Sequence, residues 1–261
     1  MSQLRSNQVT DAETTNSARQ SVLGFWTSIS TAVAAAVALV IAVTTAPPRS
    51  GPFCMLDSCI TYPYTDAAVF VPNDYLWMYP AFLMSLLFVV LVVCIHHYAS
   101  ASADRRVFSQ VALSFAVISA AVLATNYFIQ LAVMQPSLLK GEVEGLSLLS
   151  QYNPHGVFIA LEEVGHLMMG VSFLFVALAF GRRERLEWII RLVFGASSVL
   201  AVGSLIVLAL LYGSDLEYRY EVAVIVIDWI ALIVSGALLS VFFKRAGRVI
   251  SKKANRIGGI S

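Results

Sequence analysis

The chain is short of charged residues: only 13% of its 261 residues are Asp, Glu, Lys or Arg, whereas 58% are hydrophobic. Soluble globular domains carry roughly 25% charged residues, so this composition excludes an ordinary soluble fold and predicts a membrane protein. The net charge of +1 offers no basic surface of the kind that nucleic-acid binding requires. Membrane lipid is therefore an expected partner, and nucleic acid is not.

Several familiar motifs are also missing. The sequence contains no Cys-x-x-Cys redox motif, no Walker phosphate-binding loop and no Gly-x-Ser-x-Gly nucleophile elbow. No lysine lies inside an apolar run, which excludes a retinal Schiff base of the usual kind. The histidines do not form a facing pair that would bind haem. These absences leave cofactor use unknown.

Six apolar runs are long enough to cross a membrane. About 20 apolar residues cross the roughly 30 Å hydrocarbon layer as a helix. The sequence predicts such spans at about 22–46, 76–99, 107–133, 157–180, 188–212 and 221–243. The predicted fold is an all-α polytopic bundle of six transmembrane helices over residues 21–243. A disordered tail over residues 1–20 and a basic tail over residues 244–261 are expected to flank it.

The basic residues predict the orientation of this bundle. Thirteen of the 17 Lys and Arg residues fall in the two tails and in the second and fourth loops, whereas the opposite side carries only Arg49, Lys140 and Arg219. Cytoplasmic loops are rich in Lys and Arg. Both termini are therefore expected in the cytoplasm, and the localisation expected is a bacterial-type plasma membrane.

The three cysteines fall into two groups. Cys54 and Cys59 lie in the first loop, on the predicted outer side, where oxidation is possible. The sequence predicts a disulfide between them, and two reduced thiols are the alternative. Cys94 lies inside the second span and is expected to be a buried apolar residue. Trp77, which follows the first loop, is assigned to the aromatic belt of the membrane surface.

The strongest functional clue is a set of ionisable residues in the fourth span. Glu162, Glu163 and His166 lie in a lipid-like stretch, where an ionised acid costs about 2.5–3.5 kcal/mol even on lenient insertion scales. Glu162 and His166 lie about 40° apart around the helix, and His155 falls close to the same face. No Lys or Arg in the apolar interiors neutralises these acids, so burial favours their neutral form. The pattern predicts a functional cluster.

Other spans carry polar residues at a similar depth. Asp228 joins the predicted cluster from the sixth span, where it shares a face with Glu221 above and Ser235 below, each seven residues away. Since these levels coincide, we expect several helices to contribute to one buried site in the outer half of the membrane. Candidate ligand-binding residues around it are Tyr79, Asn126, Gln130, His155 and Ser235. For Asn126 and Gln130, interhelical hydrogen bonding without further function is the alternative.

Such a site is compatible with two main activities. The first is the binding or transport of a proton, small cation or small amphiphile, in which the acids hold charge and His166 relays protons. The alternative is an intramembrane enzyme that uses buried carboxylic acids for acid–base chemistry on a lipid or isoprenoid-like substrate. That chemistry resembles the chemistry of membrane-embedded sterol isomerases and terpene cyclases, although no motif of either family matches a span. Whether the protein is an enzyme stays open.

A metal site is a third hypothesis. Its ligands would be Glu162, Glu163, His166 and Asp228, because oxygen and imidazole ligands suit zinc, iron or manganese. Four-helix di-metal sites use the sequence Glu-x-x-His twice, whereas here it occurs once, from Glu163 to His166. The sequence therefore favours the other two hypotheses, and no residue is assigned as a metal ligand.

Overall fold

The structure, a computed structural model, describes the backbone of residues 2–258 except 56, 58, 143 and 183, and the side chains of residues 17–249 with the same gaps. This part of the chain contains no strand, and the predicted all-α fold is confirmed. Its helices are α1 (Ser2–Thr45), α2 (Met78–Ala99), α3 (Ala103–Ile129), α4 (Gln135–Lys140), α5 (Leu146–Leu149), α6 (Val157–Ala179), α7 (Arg185–Tyr212) and α8 (Tyr218–Gly258).

Six helical segments are long and apolar enough to cross a membrane, which confirms the predicted number and order of spans. The segment that contains α3 is the longest, because the helix continues through a π turn, Gln130–Met134, into α4. Such π turns often lie near functional sites. The segments are Ser17–Thr45, Asn73–Ala99, Ala103–Lys140, Val157–Ala179, Arg185–Asp215 and Tyr218–Val249.

The helical backbone extends beyond the predicted membrane limits at both ends of the chain. α1 is helical from Ser2, where the sequence predicts a disordered tail over residues 1–20, and α8 continues to Gly258 through the basic tail. The side chains of residues 2–16 and 250–258 lie outside the described part of the chain. The two tail assignments therefore stay predictions.

The long helices pack in a ring that follows the chain order. Each packs against its chain neighbours, α1 closes the ring against α8, and α6 also reaches across the ring to α2 and α8. Small residues allow close approach: a Cβ added at Gly170 of α6 would lie 2.9 Å from the Ala201 Cβ of α7. Six crossings place both termini at one end, and we call the opposite end the distal end.

Aromatic side chains fill the half of the bundle nearer the termini. Phe173 of α6 packs against Phe88 of α2 and Phe194 of α7, with ring centroids 5.5 and 5.2 Å apart. All three rings are fully buried. A second layer, closer to the termini, forms where Phe242 of α8 packs against Tyr98 of α2 at 4.7 Å. These aromatic layers lie between the distal half of the bundle and the end that carries the termini.

The loop between α1 and α2 folds over the distal end in three short 3₁₀ turns, Gly51–Phe53, Thr65–Phe70 and Asn73–Tyr75. Cys54 and Cys59, for which the sequence predicts a bridge, are joined by a disulfide within this loop. The loop is a folded cap, and it forms part of the wall of the site described next.

Candidate functional site

A chain of four side chains connects α3, α6 and α8 inside the distal half of the bundle. The Tyr127 hydroxyl donates to Glu162 Oε1 at 2.7 Å and lies 3.5 Å from His166 Nε2. His166 Nδ1 lies 3.0 Å from Asp228 Oδ2. All four residues are fully buried, with 0% exposure. We call this chain the buried relay.

Helical periodicity and close packing position the relay. Glu162 and His166 are four residues apart, so one turn of α6 places both on the same face. Tyr127 reaches them from α3, which approaches α6 closely at Gly165. A Cβ added to this glycine would lie only 2.5 Å from the side chain of Leu123 on α3. The fourth member of the relay, Asp228, comes from α8, which also packs against α6.

The protons available to these groups define what the relay can do. Tyr127 has one hydroxyl proton, with which it donates a hydrogen bond either to Glu162 or to His166 Nε2. With one proton on Nδ1, the imidazole ring donates to Asp228, and Nε2 accepts. A second proton on Nε2 makes the ring an imidazolium that donates to both neighbours. Because the hydroxyl lies between a carboxyl group and an imidazole, an exchange of hydrogen bonds moves a proton between Glu162 and His166.

Two further acids lie at the distal end of the relay. Glu221 of α8 is 7% exposed, and its carboxyl group interacts electrostatically with the nearby Glu162 carboxyl group. Two negative charges in one buried site repel each other, so a proton on one of the two carboxyl groups stabilises the pair. Glu163 is half-buried and interacts electrostatically with both acids. The Glu162–Glu221 pair is therefore a place where a proton is held.

Glu221 also lines a cavity of about 640 Å³ at the distal end. This volume falls in the usual range of small-molecule sites, about 300–1,000 Å³. The first loop, α1 and α8 form most of the wall, and the rings of Trp77 and Trp229 form part of it near the relay. The relay therefore connects to the cavity through Glu221. The cavity lining also includes Leu39, Val43, Arg49, Asp74, Tyr152, Tyr218, Val222 and Val226.

An ion pair holds the first loop over this cavity. Arg49 Nε lies 2.6 Å from Asp74 Oδ2, and the guanidinium group lies 3.5 Å from the centre of the Phe70 ring. Tyr152, from the loop between α3 and α6, donates to the same Asp74 oxygen at 2.8 Å. Burial raises the pKa of Tyr152 above its ordinary value, so its hydroxyl stays a donor at physiological pH. Asp74 thus ties two distal loops together.

Replacing Asp74 with asparagine is expected to loosen the cap. The change removes the charge that pairs with Arg49, and hydrogen bonds to charged groups contribute about 1.5–3 kcal/mol. Protease cleavage in the loop over residues 46–77 should become roughly tenfold faster or more, as followed by mass spectrometry. Asp66→Asn, at an exposed position in the same loop, should cleave at the wild-type rate. Equal cleavage rates for the two variants would show that the Arg49–Asp74 ion pair does not hold the loop in place.

Two sequence candidates bind backbone carbonyl groups rather than the relay. Asn126 Nδ2 donates to the Phe158 carbonyl of α6 at 3.0 Å, and Gln130 Nε2 donates to the Leu149 carbonyl of α5 at 2.7 Å. Both amides are buried. This geometry matches the alternative of interhelical hydrogen bonding, and it anchors the distal end of α3 to the segment that leads into α6.

The other candidates lie at three different places. Ser235 is fully buried two turns from Asp228 along α8, and its hydroxyl has no hydrogen-bond partner among the described residues. Tyr79 is 54% exposed on the surface of α2. His155 is exposed in the loop before α6. The structure therefore brings Glu162, His166 and Asp228 together but leaves Tyr79 and His155 outside the cluster.

The structure adds four residues that the sequence does not single out as site residues. Tyr127 carries a detectable signal, since a hydroxyl inside a span needs a buried partner. Glu221 also carries a detectable signal, since it shares a helix face with Asp228. The assignment of Trp77 to the aromatic belt is wrong: it is 8% exposed, and its ring lies 5.6 Å from Tyr127 and 6.0 Å from Trp229. Contacts between Trp77 and Trp229 leave no trace in the sequence.

The metal-site hypothesis finds no matching arrangement. Tyr127 lies between Glu162 and His166 in the relay. Within residues 17–249, apart from the gaps given above, no group of three or more His, Cys, Asp or Glu side chains could hold a metal ion. Among the described residues, these side chains contact one another through hydrogen bonds.

Comparison with known proteins adds no analogy from which a function could be transferred. No protein-family model, no curated protein and no solved structure matches the chain. Three features of its own geometry bear on its function: the buried relay, the carboxyl pair at the distal end of that relay, and the cavity that the pair reaches.

Proposed function

We propose that this six-span protein binds a small molecule or ion in its distal cavity and links that binding to protons on the buried relay. The observation that carries the proposal is the position of Glu221. It belongs to the carboxyl pair at one end of the relay and to the cavity wall at the same time. A charge that enters the cavity therefore acts directly on a group that holds a proton.

The relay supplies a place for the proton that such a ligand displaces. A proton on the Glu162–Glu221 pair passes through the Tyr127 hydroxyl to His166 Nε2, since Tyr127 contacts both Glu162 and His166. Asp228 stabilises the resulting imidazolium through Nδ1 at 3.0 Å. Proton number and charge are conserved in this transfer, because one O–H bond is exchanged for another and one N–H bond forms as the Glu162 O–H bond breaks.

In this conformation the cavity and the relay are reached from the distal side of the bundle. Phe173, seven residues beyond His166 on α6, lies about 10 Å nearer the termini and packs with Phe88 and Phe194. Buried aromatic rings offer a proton no hydrogen-bonding partner. This state therefore binds from the distal side, and transport to the other side would require the aromatic layer to open.

The distribution of basic residues gives the proposed location. Lys and Arg concentrate at the end that carries the termini, which favours cytoplasmic termini. In this orientation the distal cavity faces the outer side of a bacterial-type plasma membrane. Membrane lipid surrounds the helices and meets the cavity at its apolar wall.

Acid–base catalysis on a lipid is the less favoured alternative. Two acids contribute to the cavity wall among the described residues, and Asp74 is held by Arg49 and Tyr152. That leaves Glu221 as the one carboxyl group of the described wall that is not tied up in an ion pair. Binding linked to protonation requires only the one carboxyl group at the wall.

Infrared difference spectroscopy of the protein in lipid nanodiscs tests the proposed function. Between acidic and alkaline pH, the wild type should lose the carbonyl band of a buried protonated carboxyl group, because the Glu162–Glu221 pair gives up its proton. Glu162→Gln should weaken or shift this band, because the pair loses one of its two carboxyl groups. Glu144→Gln, at an exposed position in a distal loop, should keep it. Identical difference spectra for the wild type and Glu162→Gln would rule out the relay as the proton-binding site.

A further inference from the structure

We infer that the ligand of the distal cavity is a lipophilic cation: an ammonium group seated against Glu221 and the two tryptophans, with an apolar tail that leaves toward lipid between α1 and α8. This inference rests on the proposed function and names its ligand class. It follows from the charge of the cavity, from its aromatic wall and from its apolar side.

The charge of the cavity favours a cation. Arg49 and Asp74 form an ion pair in the wall, so their charges offset each other. Glu221 then decides the net charge of the lining, and it faces acids rather than bases. The titratable groups around it are Glu162 and Glu163 from α6, Tyr127 from α3 and Tyr218 from α8 itself. An entering cation replaces the proton that this acidic group otherwise needs.

The aromatic wall suits an ammonium group in particular. Trp77 and Trp229 line the cavity with ring centroids 6.0 Å apart. Tryptophan faces attract cations, and the attraction is stronger when the site is desolvated. Trp229 is 1% exposed, and its indole Nε1 has no hydrogen-bond partner among the described residues. A buried donor without an acceptor is costly, so this N–H also indicates an occupant, one that carries a hydrogen-bond acceptor near its charged group.

The apolar side of the cavity indicates the tail. Leu39 and Val43 of α1 and Val222 and Val226 of α8 all line the cavity. Val43 is 76% exposed and Val222 is 46% exposed at the surface of the bundle, where lipid lies. A hydrocarbon tail that passes between these side chains replaces contacts with lipid at little cost. The cavity thus combines a charged inner end with an apolar exit, which is the form of an amphiphile.

Binding should release a proton. The carboxyl pair holds a proton when the cavity has no cation. A cation beside Glu221 stabilises the carboxylate form of that side chain, so one O–H bond breaks and the proton passes to water, directly or by way of the relay. Up to one proton leaves for each charge that enters. Affinity should therefore fall at acidic pH, where the acids retain their protons.

Dodecyltrimethylammonium is a suitable probe, because its quaternary nitrogen has no proton and any proton released must come from the protein. The protein in nanodiscs is titrated in weakly buffered solution, with empty nanodiscs as the partition control. Tryptophan fluorescence reports binding, and a pH dye reports released protons. The wild type should bind in a saturable manner, release up to one proton per probe, and bind at least tenfold more weakly at acidic pH.

Two variants and one matched control make the test decisive. Glu221→Gln should bind at least tenfold more weakly at neutral pH and release no proton. Trp229→Phe should bind several-fold more weakly but still release protons when saturated, which keeps the test valid if the first variant does not fold. Glu144→Gln should match the wild type. Equal binding by Glu221→Gln and the wild type, or tighter binding of dodecyl phosphate than of the cation, would overturn the inference.

The ligand class and the proposed function can fail separately. If the infrared band behaves as described but no cation binds, only the assignment of the ligand class is wrong. If the band is unchanged in Glu162→Gln, the relay itself is not the proton-binding site, whatever the cavity binds.

Discussion

Replacing His166 with leucine is expected to destabilise the bundle by about 3 kcal/mol, the largest effect of any substitution in the site. Breaking a buried pair by removing one partner typically costs about 3–5 kcal/mol. The cost is at the lower end of this range when the remaining carboxyl group takes up a proton. The change leaves Asp228 fully buried without the ring that lies 3.0 Å away. The free energy of unfolding in mixed micelles, followed by circular dichroism, measures the effect.

A double-mutant cycle separates the pair from simple loss of packing. His166→Leu combined with Asp228→Leu should recover a large part of the lost stability, because two apolar side chains leave no buried polar group unpaired. His155→Leu makes the same change at an exposed position and should alter stability by less than about 0.5 kcal/mol. If His166→Leu were as mild as His155→Leu, the buried pair would not contribute to folding.

Gly236→Ala is expected to cause the second largest effect, a destabilisation of about 1–3 kcal/mol, typical of overpacking in a core. A Cβ at Gly236 of α8 would lie 2.6 Å from the Ser28 carbonyl oxygen and 2.8 Å from the Ala32 Cβ of α1. Backbone atoms cannot turn aside as a long side chain can, so α1 and α8 must separate. Thermal unfolding in nanodiscs, followed by fluorescence, measures the change.

Gly203→Ala is the matched control for this prediction. Gly203 lies in α7, and a Cβ added there meets nothing within 4 Å. Alanine favours a helix over glycine by up to about 1 kcal/mol, so this variant should be unchanged or slightly more stable. The same chemical change thus has opposite expected signs at two helical glycines. A loss of stability in both variants would show that helix propensity or lipid contact, not the α1–α8 contact, governs the result.

The α1–α8 contact also bears on binding. α1 and α8 supply the apolar wall of the distal cavity through residues such as Val43 and Val222. A variant that separates these helices should therefore change cavity access together with stability. Measuring probe binding in Gly236→Ala, beside unfolding, links the packing of the bundle to the proposed site.

The spans could be predicted from the sequence because their cause is local. An apolar run of about 20 residues meets the membrane requirement by itself, and the order of the six helices follows from where the runs lie. The meeting of Glu162 and His166 on one face was equally predictable, since it needs only the repeat of a single helix. Asp228 could be placed at the right depth for the same reason.

Contacts between helices were harder to predict from the sequence. Periodicity gives the face on which a residue lies, but it does not say which neighbour that face meets. Tyr127 joins Glu162 to His166 because α3 approaches α6 closely at Gly165. The candidates Tyr79 and His155 met the criteria of residue type and depth, yet they lie on exposed surfaces. Those criteria describe one helix at a time.

The sequence by itself determined that this protein is a membrane-embedded helical bundle and that its fourth and sixth spans contain acidic residues. Both follow from composition and from the period of a single helix, which no later packing can change. The tertiary structure alone decided that Glu221 joins the relay to a cavity and that Trp77 and Trp229 line it. Such meetings depend on how side-chain shapes on different helices fit together, and that fit is a property of the assembled bundle.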